Sequence, residues 1–283
     1  MPKYLDAAEK VCQRSKMAGL AFCKGLYLRY TNSPQQALKE LNVSRFDNFY
    51  GPLATAMMVE IYLNPANEMI FTSIEDQSDS NHTTMENIKI ARELLVELSS
   101  KGVDTTILEC TALLSTRQKE PLELAEKQLK ALLAKSKEYV PALVTMGLVK
   151  FIQKKSSDAR NYLKTVIKND FQLENSHYFE RAWLMMADYY ISVNKFDLAE
   201  AELKKVLKYN KSNVKAEEFM GLIKEKEKAY VDAAVHYLAA FKMSNNKNAG
   251  VGFRLAFNYL KAERYTDTID VGKQILAAYP DFP

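Results

Sequence analysis

The sequence predicts an all-α fold, a solenoid of antiparallel helix hairpins, on three observations. Small residues recur in pairs twelve positions apart: Gly147 with Ala159, Ala187 with Ala199, Gly221 with Ala233, and Ala256 with Thr268. The pairs return about every 34 to 41 residues, a period that belongs to stacked helical units, each burying its apolar face only against its neighbours. The 283 residues include only nine Gly and eight Pro, whereas Ala, Leu, Lys and Glu, the helix formers, are plentiful.

Taken in order, the first half is the less regular. Gly25-Leu-Tyr-Leu followed by Ala37 and Leu41 predicts one hairpin, with Pro34 suited to a helix start after Asn32 and Ser33. A helix is predicted from near Pro52 to Asn64-Pro65, because the residue before a proline disfavours helical backbone. Residues 66–86, ANEMIFTSIEDQSDSNHTTME, are polar and acidic with little periodicity, so a long mobile loop is expected over about 65–87. Helical spacing resumes at Ile88, Ala91, Leu94, Leu95 and Leu98. A hairpin follows, with Ala112 and Leu113 on its first helix and Ala125, Leu129 and Leu132 on its second, which starts near Pro121.

Residues 140–283 carry the most regular units. Hairpin one has Leu143, Met146, Gly147 and Lys150 on its first helix (helix A), then Ala159, Leu163 and Val166 on its second (helix B). Hairpin two has Trp183, Met186, Ala187 and Tyr190, then Ala199, Leu203 and Val206. Hairpin three has Met220 and Gly221, then Ala233, Tyr237 and Ala240; hairpin four has Leu255, Ala256 and Tyr259, then Thr268, Ile275 and Pro280. These are the W-x2-L-G-x2-Y…A…P offsets of the tetratricopeptide repeat, matched best by Trp183-x-x-Met186-Ala187-x-x-Tyr190. The spacing serves close approach: Gly or Ala lets the partner helix come near, and the large residues between fill the remaining gap. The expected architecture is a right-handed superhelical array over 1–283. The repeat-ending proline is present only at Pro280, with Lys211 and Asn245 at the earlier equivalents.

Composition narrows the function classes. The net charge of +4 is too small to imply nucleic acid by itself. Cys12, Cys23 and Cys110 are odd in number and form no CxxC, which favours a reducing compartment, and Cys23 and Cys110 are expected to pack as small hydrophobes. No apolar run approaches the roughly 20 residues of a membrane span, and no signal peptide opens the chain. Between Arg45 and Lys89 there is no Lys or Arg but seven acids: Asp47, Glu60, Glu68, Glu75, Asp76, Asp79 and Glu86. Either these acids solvate one loop and the lysines the outer helix faces, or the chain offers two docking surfaces of opposite sign.

No chemistry emerges. Gly250-Val-Gly252 lies at a helix start and makes no phosphate loop. His82, His177 and His236 are isolated, no HxxxH or HExxH occurs, and no elbow motif marks a nucleophile, so no catalytic, metal or cofactor residue is expected. The run Lys224-Glu-Lys-Glu-Lys228 is expected to solvate the end of a helix A. Trp183 and the tyrosines at repeat positions are expected in the core.

The expected partner site is the inner, concave face formed by successive helices A. Its candidates are Val144 and Leu148, Leu184 and Asp188, Glu218 and Leu222, and Phe253 and Phe257. A clamp for a C-terminal carboxylate needs paired donors, and only Arg181, Lys215 and Arg254 are cationic nearby. An apolar face with acidic interruptions suits a packed protein partner better than a chaperone tail, which disfavours a peptide-binding adaptor of the co-chaperone kind. An RNA-reading repeat needs consistently polar side chains at fixed positions, which are missing.

Four stretches resemble one family: Ala216-Glu-Glu-Phe-Met-Gly-Leu-Ile-Lys-Glu-Lys-Glu-Lys-Ala-Tyr230-Val-Asp-Ala-Ala234, Gly252-Phe-Arg-Leu-Ala-Phe-Asn-Tyr-Leu-Lys-Ala-Glu-Arg-Tyr265, Cys23-Lys-Gly-Leu-Tyr27 and Asn64-Pro-Ala-Asn-Glu68. They are similar to the tetratricopeptide repeat protein 21 family, subunit 139 of intraflagellar transport complex A, in its C-terminal part. The resemblance implies a non-enzymatic scaffold for retrograde ciliary transport and the entry of membrane receptors into cilia. It implies cytoplasmic and ciliary location, and hetero-oligomeric partners among the other propeller and helical-repeat subunits of complex A, without nucleic acid or membrane insertion. No functional residue transfers from it. The family also implies a helix beyond Pro280-Asp-Phe-Pro283, so Tyr259, Ile269 and Leu276 are expected to be exposed and an extended chain to melt higher.

Overall fold

The computed structural model describes residues 2–11, 17–31, 33–65, 80–246 and 248–280. Among them it is built of α-helices with one short 3-10 turn and no strand: α1 (Pro2–Val11), α2 (Ala18–Tyr30), α3 (Pro34–Ser44), α4 (Tyr50–Leu63), α5 (Ser80–Ser100), α6 (Thr106–Ser115), α7 (Lys119–Lys135), α8 (Val140–Ile152), α9 (Ser156–Lys168), α10 (Ser176–Ser192), α11 (Phe196–Tyr209), α12 (Val214–Lys226), α13 (Tyr230–Met243), α14 (Ala249–Lys261) and α15 (Tyr265–Ala278). The chain divides into two compact units, residues 1–166 and 167–283.

In the N-terminal unit the predicted first hairpin is α2–α3. A Cβ on Gly25 would lie 2.6 Å from Leu41 Cγ, so only glycine allows this approach. The helix predicted up to Asn64-Pro65 is α4. The buried Arg29 donates from Nη2 to the carbonyl oxygen of Asn64 (3.0 Å), satisfying the carbonyl that follows α4. Ile88, Ala91, Leu94 and Leu95 pack with Ala54, Met58 and Val59 in one core. Within the loop expected over 65–87, residues 80–87 are helical. Helix α5 begins at Ser80, because extending a helix backward from the Ile88–Leu98 stripe costs far less than nucleating one. The rest of that loop, 66–79, lies outside the described residues.

Two charge clusters brace this unit. Glu97 accepts from Arg45 Nε (2.9 Å) and Lys101 Nζ (2.9 Å), which hold its carboxyl down at about 2. Glu126 meets Lys130 and the buried Lys150, each at 2.7 Å, and also sits at about 2. Cys110 is buried as expected, and burial, aided by Glu109, pushes its thiol up to about 12. Cys23 is exposed, against expectation, because the buried face of α2 runs through Ala21, Gly25 and Arg29.

All four regular hairpins form at the expected places. A Cβ on Gly147 would lie 2.9 Å from Leu163, and one on Gly221 would lie 3.0 Å from three ring atoms of Tyr237. Each hairpin turns at a left-handed, non-glycine residue: Lys154 (φ 59°), Asn194 (55°), Lys228 (62°) and Glu263 (59°). The next amide closes a six-residue cap on helix A, as in Lys195 N to Tyr190 O (2.8 Å) and Arg264 N to Tyr259 O (2.9 Å). These four residues set a common register, since each helix B starts two positions later.

In the C-terminal unit Trp183 is buried, as its repeat position predicts, and lies nearly parallel to Phe171 (5.9 Å) and Tyr209 (5.6 Å). Phe171 stacks on Tyr209 at 4.0 Å, so a residue outside the repeat motif completes the aromatic group. Of the three residues expected to be exposed in hairpin four, Ile269 and Leu276 are exposed. Tyr259 is buried instead, because it belongs to the core with Val251, Leu255, Val271 and Ile275 and carries Arg264 over its ring at 4.5 Å.

Candidate functional site: the helix-A face of the C-terminal unit

The face is made by α10, α12 and α14. Asn213 Oδ1 caps α12 by accepting from Ala216 N (2.7 Å), and Asn248 Oδ1 caps α14 from Val251 N (3.1 Å). Neighbouring helices A are tied by polar links. Glu180 on α10 accepts from Asn210 (3.0 Å) and Asn213, which joins α10 to the start of α12. Its desolvation nevertheless raises the carboxyl above its ordinary value. Glu225 on α12 accepts from the fully buried Asn258 of α14 (2.9 Å) and faces Arg254 at 3.6 Å.

Three of the six sharpest partner candidates share the rim of this face without being free of the core. Asp188 is half-buried, and desolvation, opposed by Lys215, raises its pKa. Glu218 and Leu222 are also half-buried, and Glu218 receives Lys215 Nζ at 3.0 Å. Leu184 is 1% exposed and is removed from the site. The run Ala182–Ala187 is buried all round, Leu184 with it, and Val144 and Leu148 in α8 are likewise buried.

Phe253 and Phe257 remain, 55% and 38% exposed, one turn apart on α14. Leu260 is 49% exposed, and Lys261 Nζ lies 5.5 Å from the Phe257 ring centroid. This aromatic edge is an exposed apolar surface of the row. Lys215 and Arg254 are already engaged, Lys215 with Glu218 and the Phe219 ring (4.9 Å), Arg254 with Glu225. They do not converge on one anion, so the face favours an apolar protein surface over a terminal carboxylate.

The links through Glu225 and Asn258 were missed by sequence reasoning. Their signal is a spacing of one repeat between an acid and an amide on successive helices A. Among the described residues no group of three or more His, Cys, Asp or Glu is placed to hold a metal ion, and no helix is long and apolar enough to cross a membrane.

Comparison with known proteins places this architecture. Residues 90–283 match the model of the tetratricopeptide repeat protein 21 C-terminal ARM domain, and residues 1–63 match that of the fifth ARM repeats domain. Tetratricopeptide repeat protein 21B of Homo sapiens is 40% identical over all of this chain. Tetratricopeptide repeat protein 21A of Mus musculus is 36% identical over all of it, and the Caenorhabditis elegans homologue 32% over 99%. The chain spans 22% of the length of each of these relatives. Among solved structures, the APC/C hetero-tetramer Cut9–Hcn1 is similar with a TM-score of 0.62 at 14% identity, over 98% of this chain and 50% of that one. MamA is similar with a TM-score of 0.50 at 15% identity, over 57% and 91%. The two structures support the tetratricopeptide-type helical-hairpin fold alone. With family models over most of its length and relatives above 30% identity end to end, the chain belongs to the tetratricopeptide repeat protein 21 family.

Proposed function

We propose that this chain is part of a non-enzymatic scaffold subunit of intraflagellar transport complex A, working in the cytoplasm and cilium in retrograde transport and ciliary membrane-protein trafficking. Its partners are the other propeller and helical-repeat subunits of that complex. The observation that carries the reading is family membership along the whole chain. The site chemistry supports it: the helix-A face offers Phe253, Phe257 and Leu260 to a protein surface. A buried Cys110 thiol pushed up to about 12 is poorly suited to nucleophilic work.

The test is a binding assay of the 283-residue chain against purified complex A subunits and, in parallel, against C-terminal peptides of Hsp70 and Hsp90. Capture of a complex A subunit with no affinity for the chaperone tails is expected. Affinity for the tails alone would replace this reading with that of a co-chaperone adaptor.

A further inference from the structure

The repeat register makes positions on successive helices A comparable. Ala187 and Gly221 hold the same place in hairpins two and three, so Asp188 on α10 and Leu222 on α12 are equivalent positions on helices that pack together. One turn before Leu222 stands Glu218, and three residues before that stands Lys215. Asp188, Glu218 and Leu222 are all half-buried. Neither α10 nor α12 is the first or last helix of the chain, and α14 follows α12 on the same face.

Two carboxylates here share one cation. Lys215 Nζ lies 3.1 and 3.0 Å from the two oxygens of Glu218 and 4.9 Å from the centre of the Phe219 ring. It acts on Asp188 only through space, and among the described residues Asp188 accepts no hydrogen bond. The other Lys and Arg of the two helices are engaged or distant. Arg181 acts on Glu180, Lys224 is held by Glu200 and Glu227, and Lys226 lies eight residues, roughly 12 Å, along α12 from Glu218. Asp188 has therefore lost much of its water without gaining a donor from the described residues, which is costly until an opposite charge arrives.

We propose that Asp188 receives a lysine or arginine side chain of the partner protein, whose segment crosses α10 and α12 with an apolar side chain over Leu222. The occupant follows from charge. Two acids and one base leave this part of the face one positive charge short, and a cation can meet Asp188 without drawing Lys215 off Glu218. An acidic or wholly apolar segment would cover Asp188 and leave it unpaired. The partner is a complex A subunit on the reading proposed above, on which this assignment rests.

The test titrates purified complex A subunits against the 283-residue chain and two variants, at about 50 mM and about 500 mM NaCl. Asp188→Asn keeps the shape and removes the charge. It should weaken the subunit that binds the parent about tenfold or more at low salt. Lys215→Met removes the competing ammonium and should tighten the same complex about threefold or more. Salt should weaken the parent complex, and weaken the Asp188→Asn complex less, a difference that a merely structural role for Asp188 would not produce. Thermal midpoints check that both variants remain folded. Equal affinity of parent and Asp188→Asn, or a parent complex indifferent to salt, would overturn the assignment and leave the complex A reading standing. Failure of every subunit to bind the parent would overturn both.

Discussion

Leucine introduced separately at Gly221 and Gly272 puts one side chain at two mid-helix positions of the C-terminal unit, with opposite expected results. Either substitution recovers about 0.8 kcal/mol of helix propensity, because interior glycine costs nearly 1 kcal/mol relative to good helix formers. At Gly221 the new Cβ would already sit 3.0 Å from Cγ, Cδ1 and Cε1 of Tyr237. Tyr237 is fully buried and has nowhere to rotate, so three further carbons must push α12 from α13. Overpacking at the upper end of about 1–3 kcal/mol then leaves a net loss of about 2 kcal/mol. At Gly272 nothing lies within 4 Å of the new Cβ, and the leucine fills the place held by Leu163 and Leu203 in other hairpins. The propensity gain survives there, and the net effect is a stabilisation of about 1 kcal/mol. The readout is thermal unfolding followed by the fluorescence of Trp183, the one tryptophan, which reports the C-terminal unit. At about 4 °C per kcal/mol the two midpoints should separate by roughly 12 °C, Gly221→Leu below the parent and Gly272→Leu above it. Midpoints that move together, or a Gly221→Leu protein that melts higher, would refute the register drawn here.

Trp183→Ala should cost about 3–5 kcal/mol, since the ring is buried between Phe171, Phe179 and Tyr209; a negligible loss in urea unfolding followed by circular dichroism would contradict that packing. Glu263→Gly should stabilise the unit by about 1 kcal/mol, because a left-handed backbone costs a side-chain-bearing residue roughly that much. Its unfolding midpoint in urea should rise, and a fall would show that the Glu263 side chain contributes more than its backbone strain. Glu97 is depressed from 4.5 to about 2 in the folded chain, chiefly by Arg45. Its contribution is therefore complete above pH 4.5 and lost as pH falls toward 2. Glu97→Gln should flatten the acid limb of a stability–pH curve for the N-terminal unit, and an unchanged limb would remove Glu97 from the account.

Much of the fold was legible because helix approach is written in residue size. The small-residue pairs twelve apart, Gly147 with Ala159 and Gly221 with Ala233, located both helices of each hairpin, while the side chains that close on Gly147 and Gly221 are those of Leu163 and Tyr237. The turns were not legible. Lys154, Asn194, Lys228 and Glu263 lack the glycine that ordinarily marks a left-handed cap, and tertiary packing of both flanking helices imposes the conformation. The polar letters of 80–87 concealed the start of α5 for a related reason, since a helix borrows stability from its buried end. At the site, Phe253 and Phe257 were readable as a one-turn aromatic pair, whereas Leu184 was misplaced. Its apolar surroundings, Ala182 to Ala187, carried the signal of a helix buried on every side. The link from Glu225 to Asn258 joins residues one repeat apart and becomes visible only once α12 and α14 lie side by side.

The most direct test of the scaffold reading measures the affinity of purified complex A subunits for this chain and for its Phe253→Asp/Phe257→Asp variant. Both side chains are substantially exposed, so the variant should keep the parent's melting midpoint. The account predicts that one subunit binds the parent and that the double substitution weakens it about tenfold or more, as removal of a central aromatic anchor does. Undiminished binding by a folded variant would move the interface off the helix-A face, and no binding of any subunit by the parent chain would contradict the central claim.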